Sequence, residues 1–142
     1  MKTSKTTIAM RTVLGLIFIV GPLTTALHLA PQPALPAEAA AFTSALARSG
    51  YFLPMLWTME IATGALLISG YATPLALVVL APVVVNIAAF HLFLAPRGIV
   101  AALMITALEL SLAWRCRAAF WTLFVAPKSV AAESSRTAMQ AA

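Results

Sequence analysis

Five side chains in this sequence carry chemistry that a site could use: Glu60, Asn86, His91, Glu109 and His28. All five fall inside or at the edge of long apolar runs. A carboxyl, an amide or an imidazole placed in a bilayer is expensive, and such groups usually face a bundle interior and mark a functional site. The set can hydrogen-bond the polar head of a small apolar ligand, or pass a proton. Histidine changes charge near neutrality, and a carboxyl group removed from water favours its neutral, donating form.

Other chemistry is excluded by what the chain lacks. Cys116 is its one cysteine, so neither an internal disulfide nor a dithiol redox pair can form. A structural zinc site takes four Cys or His ligands. Cys116, His28 and His91 are the only such residues, so no metal site is expected. There is no aspartate for a Ser-His-Asp triad, and Gly15 and Gly21 are spaced for helix packing rather than for a phosphate loop. Haem held between His28 and His91 is disfavoured, because the two lie at different expected depths.

The elements that must position these residues follow from composition. The chain has 142 residues, 62% of them hydrophobic and 9% charged, whereas soluble domains carry about 25% charged residues. A soluble globule is excluded, and a single membrane domain, residues 1–126, is expected. Four apolar runs approach the roughly 20 residues that a spanning helix needs: about 8–29, 51–69, 73–95, and 99–114 or longer. Gly21-Pro22 should bend the first. Pro54 falls in the first turn of the second, and the third opens with Thr73 as N-cap and Pro74 at the first helical position.

The links Gly70-Tyr71-Ala72 and Pro96-Arg97-Gly98 are so short that the helices they join must be antiparallel neighbours. The fold class is therefore all-α, an integral membrane up-and-down four-helix bundle. Pro31 to Gly50 is the one long connection. Within it Ala37 to Ala47 reads as a short amphipathic helix across the mouth of the bundle, with Phe42 and Leu46 on one face. Ala118 to Ala126, with Phe120, Trp121 and Phe124, suits an interfacial continuation. Residues 127–142, rich in Ala, Ser and Thr, read as a disordered cytoplasmic tail. The first run also fits a secretory leader cleaved near Ala26, but its apolar character continues past that point and three more spans follow.

Charge placement sets the orientation. Lys2, Lys5, Arg11, Arg115, Arg117, Lys128 and Arg136 fall on the side of the termini, and only Arg48 and Arg97 on the other. By the positive-inside rule both termini are cytoplasmic. The net charge of +5 is thus a membrane-topology signal. Nucleic acid is excluded as a partner, since no basic face or basic-aromatic module is present.

A rise of 1.5 Å per residue places Glu60 and Asn86 about 13 Å, Glu109 about 16 Å and His91 about 6 Å from the outer ends of their helices. Glu60, Asn86 and Glu109 would then share a layer near the midplane. Thr63, Gly64 and Leu67 share the face of Glu60, and Gly21, Thr24, Thr25 and His28 form a small, polar stripe on the first helix. Each polar residue also has a plainer reading. Glu60 could bond Asn86 or a backbone carbonyl, Glu109 could pair with Arg115 or Arg117, Asn86 could glue helices together, and His28 could be interfacial. Trp57 and Trp114 suit packing or the interface. Glu60 and His91 are expected as two neutral groups hydrogen-bonded to each other.

Three stretches carry a resemblance: Arg11-Thr12-Val13-Leu14-Gly15-Leu16-Ile17-Phe18; Gly50-Tyr51 through Glu60-Ile61-Ala62-Thr63-Gly64; and Thr73-Pro74-Leu75 through Pro82, Asn86 and Phe90-His91-Leu92-Phe93-Leu94. Over roughly Arg11 to Ala126 the chain resembles the DoxX-like family of small four-helix bacterial membrane proteins. The resemblance implies a bacterial inner (plasma) membrane location. The family takes its name from a subunit of a thiosulfate:quinone oxidoreductase, and other relatives are linked to oxidative-stress complexes. The expected function is therefore a membrane subunit of a redox or oxidative-stress assembly, binding a quinone-type or other small hydrophobic ligand. Glu60, Asn86 and His91 would form its site, with His28 at the outer rim. No self-contained catalytic motif is present. A non-catalytic assembly protein, or a small transporter acting as an oligomer, stays open, as do a redox partner protein and a homodimer beside the bilayer itself.

Overall fold

The computed structural model describes residues 4–29, 31 and 34–124; the tail expected over 127–142 lies outside the described residues. Six helices follow one another: α1 (Lys5–Ala26), α2 (Ala37–Arg48), α3 (Phe52–Ser69), α4 (Thr73–Phe93), α5 (Ile99–Arg115) and α6 (Arg117–Phe124), with a 3-10 turn at Pro96–Gly98 before α5. Among the described residues there is no strand. α1, α3, α4 and the segment Pro96–Arg115 are each long and apolar enough to cross a membrane. The fold is an all-α four-helix bundle. α1 packs on α3 and α5, and α4 packs on α3 and α5, so the four run round a ring with neighbours alternating in direction.

Most outward-facing positions round the ring are apolar, among them Leu16, Val20, Met55, Val85, Leu103 and Leu110. Water does not tolerate so large an apolar surface, whereas a bilayer does. The seam of the bundle is set by glycine. A Cβ placed on Gly15 would lie 2.6 Å from the Gly64 carbonyl oxygen, and one on Gly64 would lie 2.7 Å from the Gly15 carbonyl oxygen. α1 and α3 therefore cross backbone to backbone, as small residues allow in membrane bundles.

The packed core occupies the half of the bundle nearer the chain termini. Leu14 and Phe18 of α1, Leu67 of α3, Leu77 and Leu80 of α4 and Leu112 of α5 form one buried cluster there. The α3–α4 turn seals that end. Gly70 has φ +77°, a left-handed conformation that favours glycine, and the Arg11 guanidinium lies against it.

Boundaries shift modestly from the sequence reading. α1 starts three residues earlier and ends at Ala26, not Leu29. The helix stops because His28 adopts φ +52°, and the amides of His28 and Leu29 bond back to the carbonyls of Thr25 (3.3 Å) and Thr24 (3.0 Å). This is a Schellman closure with histidine in the place that glycine usually holds. Thr73 is the first helical residue of α4 rather than its cap, which is Ala72 at φ +52°. α5 ends at Arg115, and the chain turns at Cys116 into the separate α6.

α2 spans the connection as expected. Glu38 in its first turn and Arg48 in its last both complement the helix dipole. Phe42 stacks on Phe90 with centroids 6.0 Å apart, which holds α2 against the end of α4.

Candidate functional site

Beyond the Gly15–Gly64 crossing, toward α2, the helices line an open cavity of about 410 Å³. All four spanning helices contribute: Phe18 and Gly21 from α1, Trp57 and Glu60 from α3, Ile87 and His91 from α4, and Ile105 from α5. Pro22 of α1 also lines it. Proline lacks the amide that would satisfy the Phe18 carbonyl and loosens the helix where the cavity forms. A concave, largely apolar space with a few polar groups is the usual form of a small-molecule site.

Glu60 is only 8% exposed and reaches the wall of this cavity. Its carboxyl makes no hydrogen bond to any described residue. The neighbouring Thr63 spends its hydroxyl on the carbonyls of Met59 (2.7 Å) and Glu60 (3.0 Å) of its own helix, which leaves the Glu60 side chain as the polar group α3 offers to the cavity.

His91 stands opposite at the end of α4. Its Nδ1 lies 3.0 Å from the Ala95 carbonyl oxygen. A carbonyl can only accept, so Nδ1 carries the proton and donates. In the neutral ring Nε2 is then an acceptor. Phe90 meets the ring edge-on at 5.3 Å and 84°, and a side chain on Gly98 would collide with it. Gly98 is thus the space into which the imidazole fits. His91 also lines a second cavity of about 300 Å³, at the mouth, with Pro36, Ala95, Arg97 and Gly98. It stands between the two spaces.

The structure brings Glu60 and His91 to one cavity but does not bond them to each other, contrary to the expected pair. His91 is turned instead to the Ala95 carbonyl, which also accepts from the Gly98 amide at 3.1 Å. Asn86 is not with them. It is exposed on the outer face of α4, because five residues separate it from His91 and set the two about 140° apart round the helix. His28 does not line the cavity; it closes α1. Replacing His28 by glycine should therefore leave any bound ligand in place. It should hold or raise the thermal unfolding midpoint, since a non-glycine residue at this φ stores about 1 kcal/mol or more. A lower midpoint would show that the imidazole itself is needed.

Glu109 is 6% exposed and sits on a different seam, between α4 and α5. The pairing expected with Arg115 or Arg117 is not formed. Arg115 donates from Nη1 to Thr7 Oγ1 (3.2 Å), and Arg117 from Nη1 to the Trp114 carbonyl (3.1 Å). Arg115 lies six residues on, about 120° round the helix from Glu109. Arg117 lies beyond the break at Cys116. Burial pushes the Cys116 thiol up from its usual range, so it is a poor nucleophile.

Trp57 and Gly98 are the residues that sequence reasoning placed elsewhere. Trp57 lies three residues before Glu60, one turn along the same face, and that spacing is the signal that could have found it. Among the described residues no three His, Cys, Asp or Glu side chains gather as a metal site would require. Comparison with known protein families, with curated proteins and with solved structures finds no match to this chain.

Proposed function

We propose that this chain is a DoxX-like protein of the bacterial inner membrane, with both termini cytoplasmic. It holds a lipid-soluble ligand of quinone type between its helices, as the membrane subunit of a redox or oxidative-stress assembly. The observation that carries the reading is the cavity to which all four spanning helices contribute, with Glu60 and His91 on its wall. The polar pair is complementary to both forms of such a ligand. A protonated Glu60 donates to a quinone carbonyl. The Nε2 of His91, left as an acceptor by the Nδ1 bond to Ala95, takes the hydroxyl of the reduced form. Trp57 and Phe18 supply apolar walls for a ring.

Organic extraction of the protein purified in mild detergent tests this. One lipid-soluble quinone per chain is expected, reduced by Glu60→Leu and by His91→Phe. A wild type that carries no quinone and takes none up from quinone-loaded lipid overturns the proposal.

Asn86 supports the assembly part of the reading. An amide on the lipid-facing side of a spanning helix is costly and gains most from a hydrogen bond to another helix, worth about 0.6–2 kcal/mol. Asn86→Leu is therefore expected to weaken association with a partner subunit or a second copy without unfolding the bundle. Cross-linking in native membranes, followed by size analysis, reads this directly. An unchanged pattern places the contact elsewhere.

A further inference from the structure

The seam of α4 and α5 holds a groove of about 320 Å³, separate from the central cavity. Val78, Val85 and Leu110 on its walls are exposed, so it opens on the surface that would meet lipid. Glu109 lines it, 94% buried by its 6% exposure, and Glu109 Oε1 has no hydrogen-bond partner among the described residues. The other polar side chain on the wall, Thr106, donates its hydroxyl to the Ala102 carbonyl at 2.8 Å. Arg115 donates to Thr7, Arg117 donates to the Trp114 carbonyl and lies over its ring, and Arg11, whose Nε has no partner either, is turned to the α3–α4 turn at Gly70. The groove therefore presents one unanswered acid in an otherwise apolar wall.

A carboxyl taken out of water stays neutral unless a cation stands beside it, and among the described side chains none forms that pair. We propose that the groove is a binding site, entered from the bilayer, for a lipid-soluble amine whose ammonium group pairs with Glu109. Its apolar body lies along Val78, Val85 and Leu110, against the ring of Phe120. An ammonium group brings both donors and the missing counter-charge, and such a bond is about twice as strong as a neutral one. A hydroxyl brings a donor alone.

The test uses the full chain in lipid nanodiscs, with Glu60→Gln as background so that one buried carboxyl remains. Dicyclohexylcarbodiimide, which attacks carboxyl groups reached from lipid, is expected to label Glu109, as located by peptide mass analysis. N,N-Dimethyldodecylamine, which the activated carboxyl cannot convert to an amide, should protect against labelling at a concentration lower than dodecanol by about tenfold or more, and direct dodecylamine binding, measured without carbodiimide, should weaken by a similar factor in Glu109→Gln. Ala81→Phe fills the groove from its exposed wall and should give the same loss if Glu109→Gln does not fold. No labelling of Glu109, equal protection by dodecanol, or unchanged dodecylamine binding in the folded variants overturns the proposal. None of these outcomes involves the Gly21 wall of the central cavity, so quinone binding there stands or falls separately.

Discussion

Leucine at Gly15 or Gly64 is expected to leave no folded protein to purify, and alanine at either is expected to cost about 1–3 kcal/mol. The contact is reciprocal. A Cβ on Gly15 meets the Gly64 carbonyl oxygen at 2.6 Å and the Ile68 Cγ1 at 2.7 Å, while one on Gly64 meets the Gly15 carbonyl oxygen at 2.7 Å. Backbone atoms cannot move aside as a side-chain tip can, so the two helices must part. Parting them opens the core formed by Leu14, Phe18 and Leu67 beside the crossing. The sign of the effect is decisive, because alanine is intrinsically a better helix former than glycine by about 1 kcal/mol. A loose crossing would make Gly64→Ala more stable. Gly21 supplies the control on the same helix as Gly15: a Cβ there meets nothing within 4 Å, so Gly21→Ala should gain stability. Thermal unfolding in detergent, followed by size-exclusion chromatography, should therefore rank Gly21→Ala at or above wild type and the two crossing variants below it. An order in which Gly64→Ala exceeds wild type removes the close crossing.

The different behaviour of these glycines shows which parts of the molecule were legible in its sequence. Hydropathy runs and short polar links determine how many helices there are, where they turn and that neighbours alternate, because a bilayer permits few other arrangements. Position along each helix was legible once its ends were, because the rise per residue is fixed. Azimuth was not. Glu60, Asn86 and Glu109 lie at comparable depths along their helices, yet one faces the central cavity, one the outer surface and one the α4–α5 groove. Which way a uniformly apolar helix is turned depends on the partner it packs against. α4, with apolar residues all round, carries almost no directional pattern of its own. The five-residue spacing of Asn86 and His91 did contain the separation of their faces. The hydrogen bond from His91 to Ala95 depends on where the helix frays, which the apolar run alone did not define.

Filling the cavity at Gly21 is expected to evict the ligand and leave the bundle intact. Gly21 lines the space of about 410 Å³, and nothing stands within 4 Å of where its Cβ would be. A leucine there projects into the void without striking a helix. It also removes a helix-interior glycine, which costs roughly 0.5–1 kcal/mol relative to alanine. Glu60 and His91 keep their places, so the variant separates loss of space from loss of polar contacts. Extraction of Gly21→Leu should then yield about a tenth or less of the quinone carried by wild type. Stability supplies a second reading through linkage. A ligand present at 100 times its Kd adds about 2.7 kcal/mol to the folded state, so stripping quinone from wild type should lower its unfolding midpoint. Gly21→Leu should show no such difference, while unfolding no earlier than stripped wild type. Full quinone content in a folded Gly21→Leu protein would move the ligand out of the central cavity. A variant that loses quinone but also unfolds early would mean that the open space at Gly21 belongs to the packing of α1 and not to a site.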